Sequence, residues 1–278
     1  MVMNIVPLTS TIAAEVRGIN LATPLDDDSV ATLRRSLVDN LVLLFRGQEL
    51  SEVQQVRVAS YFGTPTEMRQ QDNLQRRPEA DPRVMLISNI VEDGKLIGTL
   101  SGGELQFHSD SAFDEFPLMA TVLYSEILPS RGGQTKFANM YAVLDALEPE
   151  VRQKLEGRGG VNVFDFVTQV KTKKLDRANS AYYTHPAIRT HPETGRQALY
   201  VNRLMTEEIT GLAEEESRTL LDNLFAMTER DEFHYTHEWL PGDLLIWDNR
   251  GVQHARTDYP LDEPRLLRRV GIQGDKPF

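Results

Sequence analysis

His108 and Asp110 stand two residues apart in Gln106-Phe107-His108-Ser109-Asp110, and a further histidine, His254, lies far downstream in Val252-Gln253-His254-Ala255. Two imidazoles and one carboxylate can occupy one face of a metal ion and leave the other positions open. That is the facial-triad arrangement expected of non-heme Fe(II) oxygenases. The spacing has a physical basis. In a strand, residues i and i+2 project to one face, so His108 and Asp110 can reach a single metal while Ser109 points away. The third ligand has to come from a neighbouring strand, so its distance in sequence is no obstacle. A His-x-Asp alone is also what an ordinary hydrogen-bonded histidine beside an aspartate looks like. The rest of the chain has to decide.

A second chemistry-bearing cluster is Arg265-Leu266-Leu267-Arg268-Arg269. On a strand Arg265 and Arg269 share a face and Arg268 takes the other. At about 3.3 Å per residue the first two stand roughly 13 Å apart, too far for one small anion to bridge. Each could take its own carboxylate or sulfonate through paired hydrogen bonds. A solvated basic strand is the plainer reading of the same letters.

These residues need a core to hold them. The chain has 278 residues, of which 40% are hydrophobic and 26% charged. One large unit is expected, since β-barrels and sandwiches often run to this length. The formal net charge of -11 argues against nucleic acid and anionic membranes as partners. It leaves room for a small anion in a locally basic pocket. With no cysteine, disulfides, iron–sulfur clusters and thiolate chemistry are excluded, and any metal must be held by imidazole and carboxylate. The N-terminus does not read as a signal peptide, and runs such as Leu41 to Phe45 are too short to span a bilayer, so a cytoplasmic protein is expected.

Asp26-Asp27-Asp28-Ser29 opens a helix whose Val30, Leu33 and Leu37 recur at helical spacing. Ser51 with Gln54 reads as a capping box. Continuous apolar runs at Leu41 to Phe45 and Leu244 to Trp247 read as buried strands, with others over Val84 to Ile90, Leu118 to Leu128 and Arg265 to Ile272. The polar stretch 64–83 reads as a long loop suited to a lid. Helices are expected over Asn139 to Leu155 and Glu214 to Met227, within a helical insertion spanning about 138–230, and a hairpin turns at Thr190 to Gly195. The pattern is mainly β with flanking helices. His185 and His191 precede prolines and read as loop residues, and Trp247 and Asn249 as structural ones.

Five blocks together resemble the taurine dioxygenase/2,4-D dioxygenase family: Phe107-His108-Ser109-Asp110, Ser130-Arg131-Gly132-Gly133-Gln134-Thr135, Thr190-His191-Pro192, Ile246-Trp247-Asp248-Asn249-Arg250 and Gly274-Asp275-Lys276-Pro277-Phe278. They run in family order from about Leu41 to the C-terminus. The resemblance implies a double-stranded β-helix (jelly-roll) core, with Fe(II), 2-oxoglutarate and O2 as reactants. It implies His108, Asp110 and His254 as iron ligands. Arg265, assisted by Thr135, would hold the distal carboxylate of 2-oxoglutarate, and Arg269 would grip an anionic substrate. The taurine enzymes carry tryptophan where this chain has Phe107, and a substrate-contacting histidine where it has Thr66. Both positions are thereby marked as substrate-binding candidates, and taurine is not the default substrate.

The expectation is hydroxylation of a small anionic molecule such as a sulfonate, alkyl sulfate, aryloxyalkanoate or modified amino acid, with bond cleavage where the hydroxyl lands beside a heteroatom. The family also implies a homo-oligomer, dimer or tetramer. A cupin-like metalloenzyme that needs no 2-oxoglutarate, or a non-catalytic ligand-binding protein, would use the same triad. The pairing of Arg265 with Thr135 has no evident task in either.

Overall fold

Two mainly antiparallel sheets face each other in the computed structural model of the chain, which describes residues 3–67, 80–164 and 180–278. The major sheet runs, in spatial order, Asn4–Pro7, Ala14–Arg17, Val42–Phe45, Leu244–Asp248, Ala120–Ile127, Leu266–Ile272 and Met85–Ser88. The minor sheet runs His234–His237, Thr135–Asn139, Val252–Arg256 and Leu105–His108. Ala14–Arg17 pairs with Val42–Phe45 in parallel; the other pairings in both sheets are antiparallel. This is the jelly-roll core.

The continuous apolar runs follow from burial on two faces. Val42, Leu44, Leu245 and Trp247 face the minor sheet, while Leu43, Phe45, Leu244 and Ile246 pack under helices Asp27–Asn40 and Glu52–Ser60. A strand covered on both sides has no polar alternation to show. Fully burying one such side chain contributes about 1.5–3 kcal/mol, and this covering keeps the strands at the site in place. Both helices start where expected. Asp26 accepts from Ser29 N, and Ser51 forms the full capping box with Gln54.

Four expectations need correction. The strand carrying His108 ends at that residue, and Asp110 sits in the turn beyond it, next to Ser111 at φ 58. The helix expected over Asn139 to Leu155 is two helices, Met140–Asp145 and Pro149–Leu155. Pro149 lacks an N–H and disfavours helical geometry at Glu148, so it ends one helix and starts the next. The segment between the minor-sheet strands Thr135–Asn139 and His234–His237 is mixed, not purely helical. Besides helix Glu214–Thr228 it holds a three-stranded sheet of Tyr182–Pro186, Gly159–Val163 and Thr206–Ile209, and the hairpin Ile188–Thr190 with Gln197–Leu199. His185 lies in the strand Tyr182–Pro186 rather than in a loop, with its Nε2 2.8 Å from Asp114 O; His191 lies in the connection after Ile188–Thr190, as expected, but is buried there with its Nε2 3.1 Å from Asp248 Oδ2.

Most of the expected lid at 64–83 lies outside the described residues. Among the described residues, no helix is long and apolar enough to cross a membrane.

Candidate active site

The minor sheet brings the two histidines together. His254 stands directly opposite His108 in the pairing of Val252–Arg256 with Leu105–His108, and their ring centroids are 4.1 Å apart. Asp110 reaches them from the turn, which Ser109 Oγ ties to Val252 O at 3.1 Å. One ligand atom from each of His108, Asp110 and His254 lies within 4.8 Å of the others, and all three residues are buried. The strand end therefore does what a continued strand was expected to do.

The surroundings suit a cation. His108 Nδ1 faces Gln106 O at 2.8 Å, and because a carbonyl only accepts, Nδ1 carries the proton and Nε2 is left with its lone pair. The Trp247 ring lies 4.6 Å from that of His254, whose buried Nδ1 has no hydrogen-bond partner. Burial and the neighbouring His108 push the His254 imidazole down to about 3, and burial lowers His108 against the pull of Asp110. Both rings are thus neutral near pH 7, as metal ligands must be. Burial works to raise the Asp110 carboxyl. Arg269, the two imidazoles and Thr121 overcome it and hold the group well below the usual carboxylate range. Thr121 Oγ1 donates to Asp110 Oδ2 at 2.6 Å, and Arg269 Nη2 meets Oδ1 at 2.8 Å. Thr121 in turn accepts from Asn249 Nδ2 at 3.0 Å, and Asn249 Oδ1 accepts from Trp247 Nε1 at 2.8 Å. Two neutral imidazoles, an ionised carboxylate and an orphaned ring nitrogen fit Fe(II).

A second group of buried polar residues includes Thr135, Arg256 and Arg265. Arg265 is 2% exposed, and its Nε and Nη1 have no hydrogen-bond partner; Nη2 has Gly133 O at 3.4 Å. Its guanidinium lies 5.2 Å from the Tyr259 ring centroid. Burial, with Arg256 second, pushes it down to about 9. Gly133, at φ 69, makes room for it, since a Cβ there would sit 3.2 Å from Arg265 Nε. Thr135 Oγ1 accepts from Trp239 Nε1 at 3.0 Å, and Thr135 pairs with Arg256 across the sheet. A buried guanidinium with unmet donors calls for an anion.

On the last strand, Leu266–Ile272, Arg269 reaches Asp110, while Arg268 lies on the helix side, where its guanidinium is 4.7 Å from the Tyr124 ring; Arg265 stands one residue before the strand. Thr66 is half-buried, and its N and Oγ1 lie 2.9 and 3.3 Å from Gly271 O, on the Arg269 face of that strand. Phe107 is not brought to the site. Its ring packs 4.9 Å from His234 on the far side of the minor sheet, because adjacent strand residues alternate faces and His108 has the inner one. Thr121, Trp239, Arg256 and Tyr259 were not singled out from sequence. Only a threonine inside the apolar run Leu118 to Leu128 hinted at the first.

The fold and triad define a class, the non-heme Fe(II), 2-oxoglutarate-dependent dioxygenases. The sequence matches the taurine catabolism dioxygenase TauD, TfdA family over residues 4–270, and the chain belongs to it. It is 32% identical over 282 residues to an (S)-phenoxypropionate/alpha-ketoglutarate-dioxygenase of Sphingobium herbicidovorans, covering 98% of this chain and 95% of that one. It is 32% identical over 283 residues to an alpha-ketoglutarate-dependent 2,4-dichlorophenoxyacetate dioxygenase of Cupriavidus pinatubonensis, covering 97% of each. Among solved structures it resembles AAD-2 in complex with Mn(II) and N-oxalylglycine, with a TM-score of 0.83 and 28% identity over 100% of this chain and 98% of that one.

Proposed function

We propose that this dioxygenase hydroxylates a small organic anion of the aryloxyalkanoate or sulfate-ester kind, through the site residues as follows. His108, Asp110 and His254 hold Fe(II), Arg265 and Thr135 take the distal carboxylate of 2-oxoglutarate, and Arg269 takes the anionic end of the substrate. The observation that carries this reading is the buried Arg265 with two unpartnered nitrogens beside a metal triad. A metal-only enzyme has no use for such a group.

Bound Fe(II) supplies oxidative decarboxylation of 2-oxoglutarate to succinate and CO2 coupled to insertion of oxygen into a substrate C–H bond. The chain supplies placement. Arg265 fixes the co-substrate's far end, so that its 2-oxo acid end points to the triad. Arg269 neutralises Asp110 and offers its remaining donors to the substrate's carboxylate, sulfonate or sulfate, which decides the carbon nearest the metal. Thr66 borders that subsite. Residues 1–278 serve as one catalytic unit, and a hydroxyl placed beside an ether or ester oxygen leads to cleavage. Relatives named for phenoxypropionate, 2,4-dichlorophenoxyacetate and sulfate esters support an anion of this size.

Succinate formation with Fe(II), 2-oxoglutarate and O2, across a panel of aryloxy acids, sulfate esters, sulfonates and N-substituted amino acids, tests the reading. Stimulation by one class, abolished in His108→Ala, is expected. Full substrate-dependent succinate release by His108→Ala would refute it.

A further inference from the structure

The co-substrate pocket holds a second guanidinium to which the reading above gives no task. Arg256 ends the strand Val252–Arg256, two residues past His254, and is 6% exposed. Its Nη1 donates to Leu100 O at 2.8 Å, Nη2 to Gly102 O at 2.9 Å and Gly103 O at 2.7 Å, and Nε to Gly103 O at 3.2 Å. These acceptors are neutral carbonyls, which satisfy its donors without adding a counter-charge in contact with it. Tyr259 and Asp258 act on it through space. The same Tyr259 ring lies 5.4 Å from the Arg256 guanidinium and 5.2 Å from that of Arg265. Two buried cations flanking one ring repel each other unless an anion joins them.

Arg256 also does mechanical work. Residues 100–103 lead directly into Leu105–His108, the strand that presents the first iron ligand. Leu100 (φ 52) and Gly103 (φ 76) bend this segment, so that three of its carbonyls converge on one guanidinium. Tyr259 Oη donates to Ser101 O at 2.8 Å, and a Cβ on Gly102 would sit 2.5 Å from Leu261 Cδ2. The lead-in to His108 and the segment after His254 are thereby closed onto each other around the pocket.

We propose that Arg256 is a positioning residue for the co-substrate: its charge adds to that of Arg265 in drawing in the distal carboxylate, and its fork onto residues 100–103 fixes the pocket wall. This rests on the reading of Arg265 as the co-substrate arginine. The test is isothermal titration of the full chain, loaded with Mn(II), using 2-oxoglutarate and 2-oxopentanoate. The second compound keeps the carbon chain and 2-oxo acid end but carries a methyl in place of the distal carboxylate. Wild type is expected to prefer 2-oxoglutarate. Arg256→Gln should weaken 2-oxoglutarate about tenfold or more, the scale of one nearby charge at an intermediate dielectric, and leave 2-oxopentanoate nearly unchanged. Arg256→Lys, which keeps the charge and loses the fork, should restore most of the preference.

Equal losses for both ligands in Arg256→Gln, or no loss for either, would overturn the proposal. If Arg256→Gln does not fold, Arg256→Lys decides: a preference near that of wild type supports the proposal and a collapsed one overturns it. Failure of the underlying reading looks different. There, wild type would show no preference and Arg265→Gln would change nothing.

Discussion

The hydroxyl of Thr121 links the Trp247–Asn249 pair to the Asp110 carboxylate, the metal ligand of the proposed site. Residues in that position orient the ligand and tune its basicity, and removing one typically lowers metal affinity about 10–100-fold. Thr121→Val keeps the shape and deletes the donor. It should weaken Fe(II) or Mn(II) binding on that scale, measured by metal titration, while the folded fraction by circular dichroism stays at the wild-type level. Protonation gives a second prediction at this scale. In the metal-free protein, burial pushes His254 down to about 3 and His185 down to about 4, from the ordinary 6.5. The unfolded chain therefore takes up protons that the folded chain refuses. Stability is fully present above pH 6.5 and falls as the pH drops toward 4, by up to about 1.4 kcal/mol per pH unit for each group. Melting temperatures of the metal-free protein should fall across that window. Fe(II) or Mn(II) should offset the part due to His254 and leave the part due to His185.

At the scale of elements, the site depends on strands that it does not contain. Helix Glu52–Ser60 packs Val56 and Ala59 over the outer face of the major sheet, and Gln55 Nε2 donates to Arg268 O at 2.9 Å, one residue from Arg269. The helix thus braces the strand that carries Arg269 and follows directly on Arg265. Its start rests on the Ser51–Gln54 capping box, with Gln54 Oε1 2.7 Å from Ser51 N. Ser51→Ala should cost about 1 kcal/mol by urea unfolding, the usual worth of such a cap, with kcat and both KM values unchanged. The divided helix at Pro149 and the strand ending at His108 belong to this scale too. The proline was visible in the sequence, and the rule that it ends a helix applies there directly. Nothing in the letters around Ser109 announces that the chain turns.

Across the whole molecule the charge is unevenly distributed. The chain carries a net -11, while Arg256 and Arg265 are buried beside the Tyr259 ring and the half-buried Arg269 meets Asp110. A doubly negative co-substrate approaches against the outer field and is held by an inner one. Added salt screens exposed charges over about 8–10 Å and buried pairs far less. The association rate of 2-oxoglutarate should therefore rise with sodium chloride, with dissociation little changed. Stopped-flow quenching of tryptophan can follow this, since Trp239 donates to Thr135 and the Trp247 ring lies 4.6 Å from that of His254. An association rate that falls with salt would place the steering field in the pocket rather than on the surface.

Much of the site was legible in the chain because it depends on residue type and local spacing. His108, Asp110 and a distant His254 followed from ligand chemistry, although Asp110 arrives from a turn, and a period of two set Arg269 apart from Arg268 on the last strand. The absence of cysteine restricted the ligands to imidazole and carboxylate. The two-sided apolar runs announced a buried sheet. What remained hidden was what only cross-strand register sets. The orientation of Phe107 is not of this kind, since it follows from alternation within its own strand once His108 takes the inner face. Thr121, Trp239, Arg256 and Tyr259 enter because pairings such as Thr135 with Arg256 join residues more than a hundred positions apart. Sequence alone could determine which groups were able to bind a metal and an anion. Which of them meet depended on tertiary structure, because a strand specifies the faces of its own side chains but not the strand that lies opposite them.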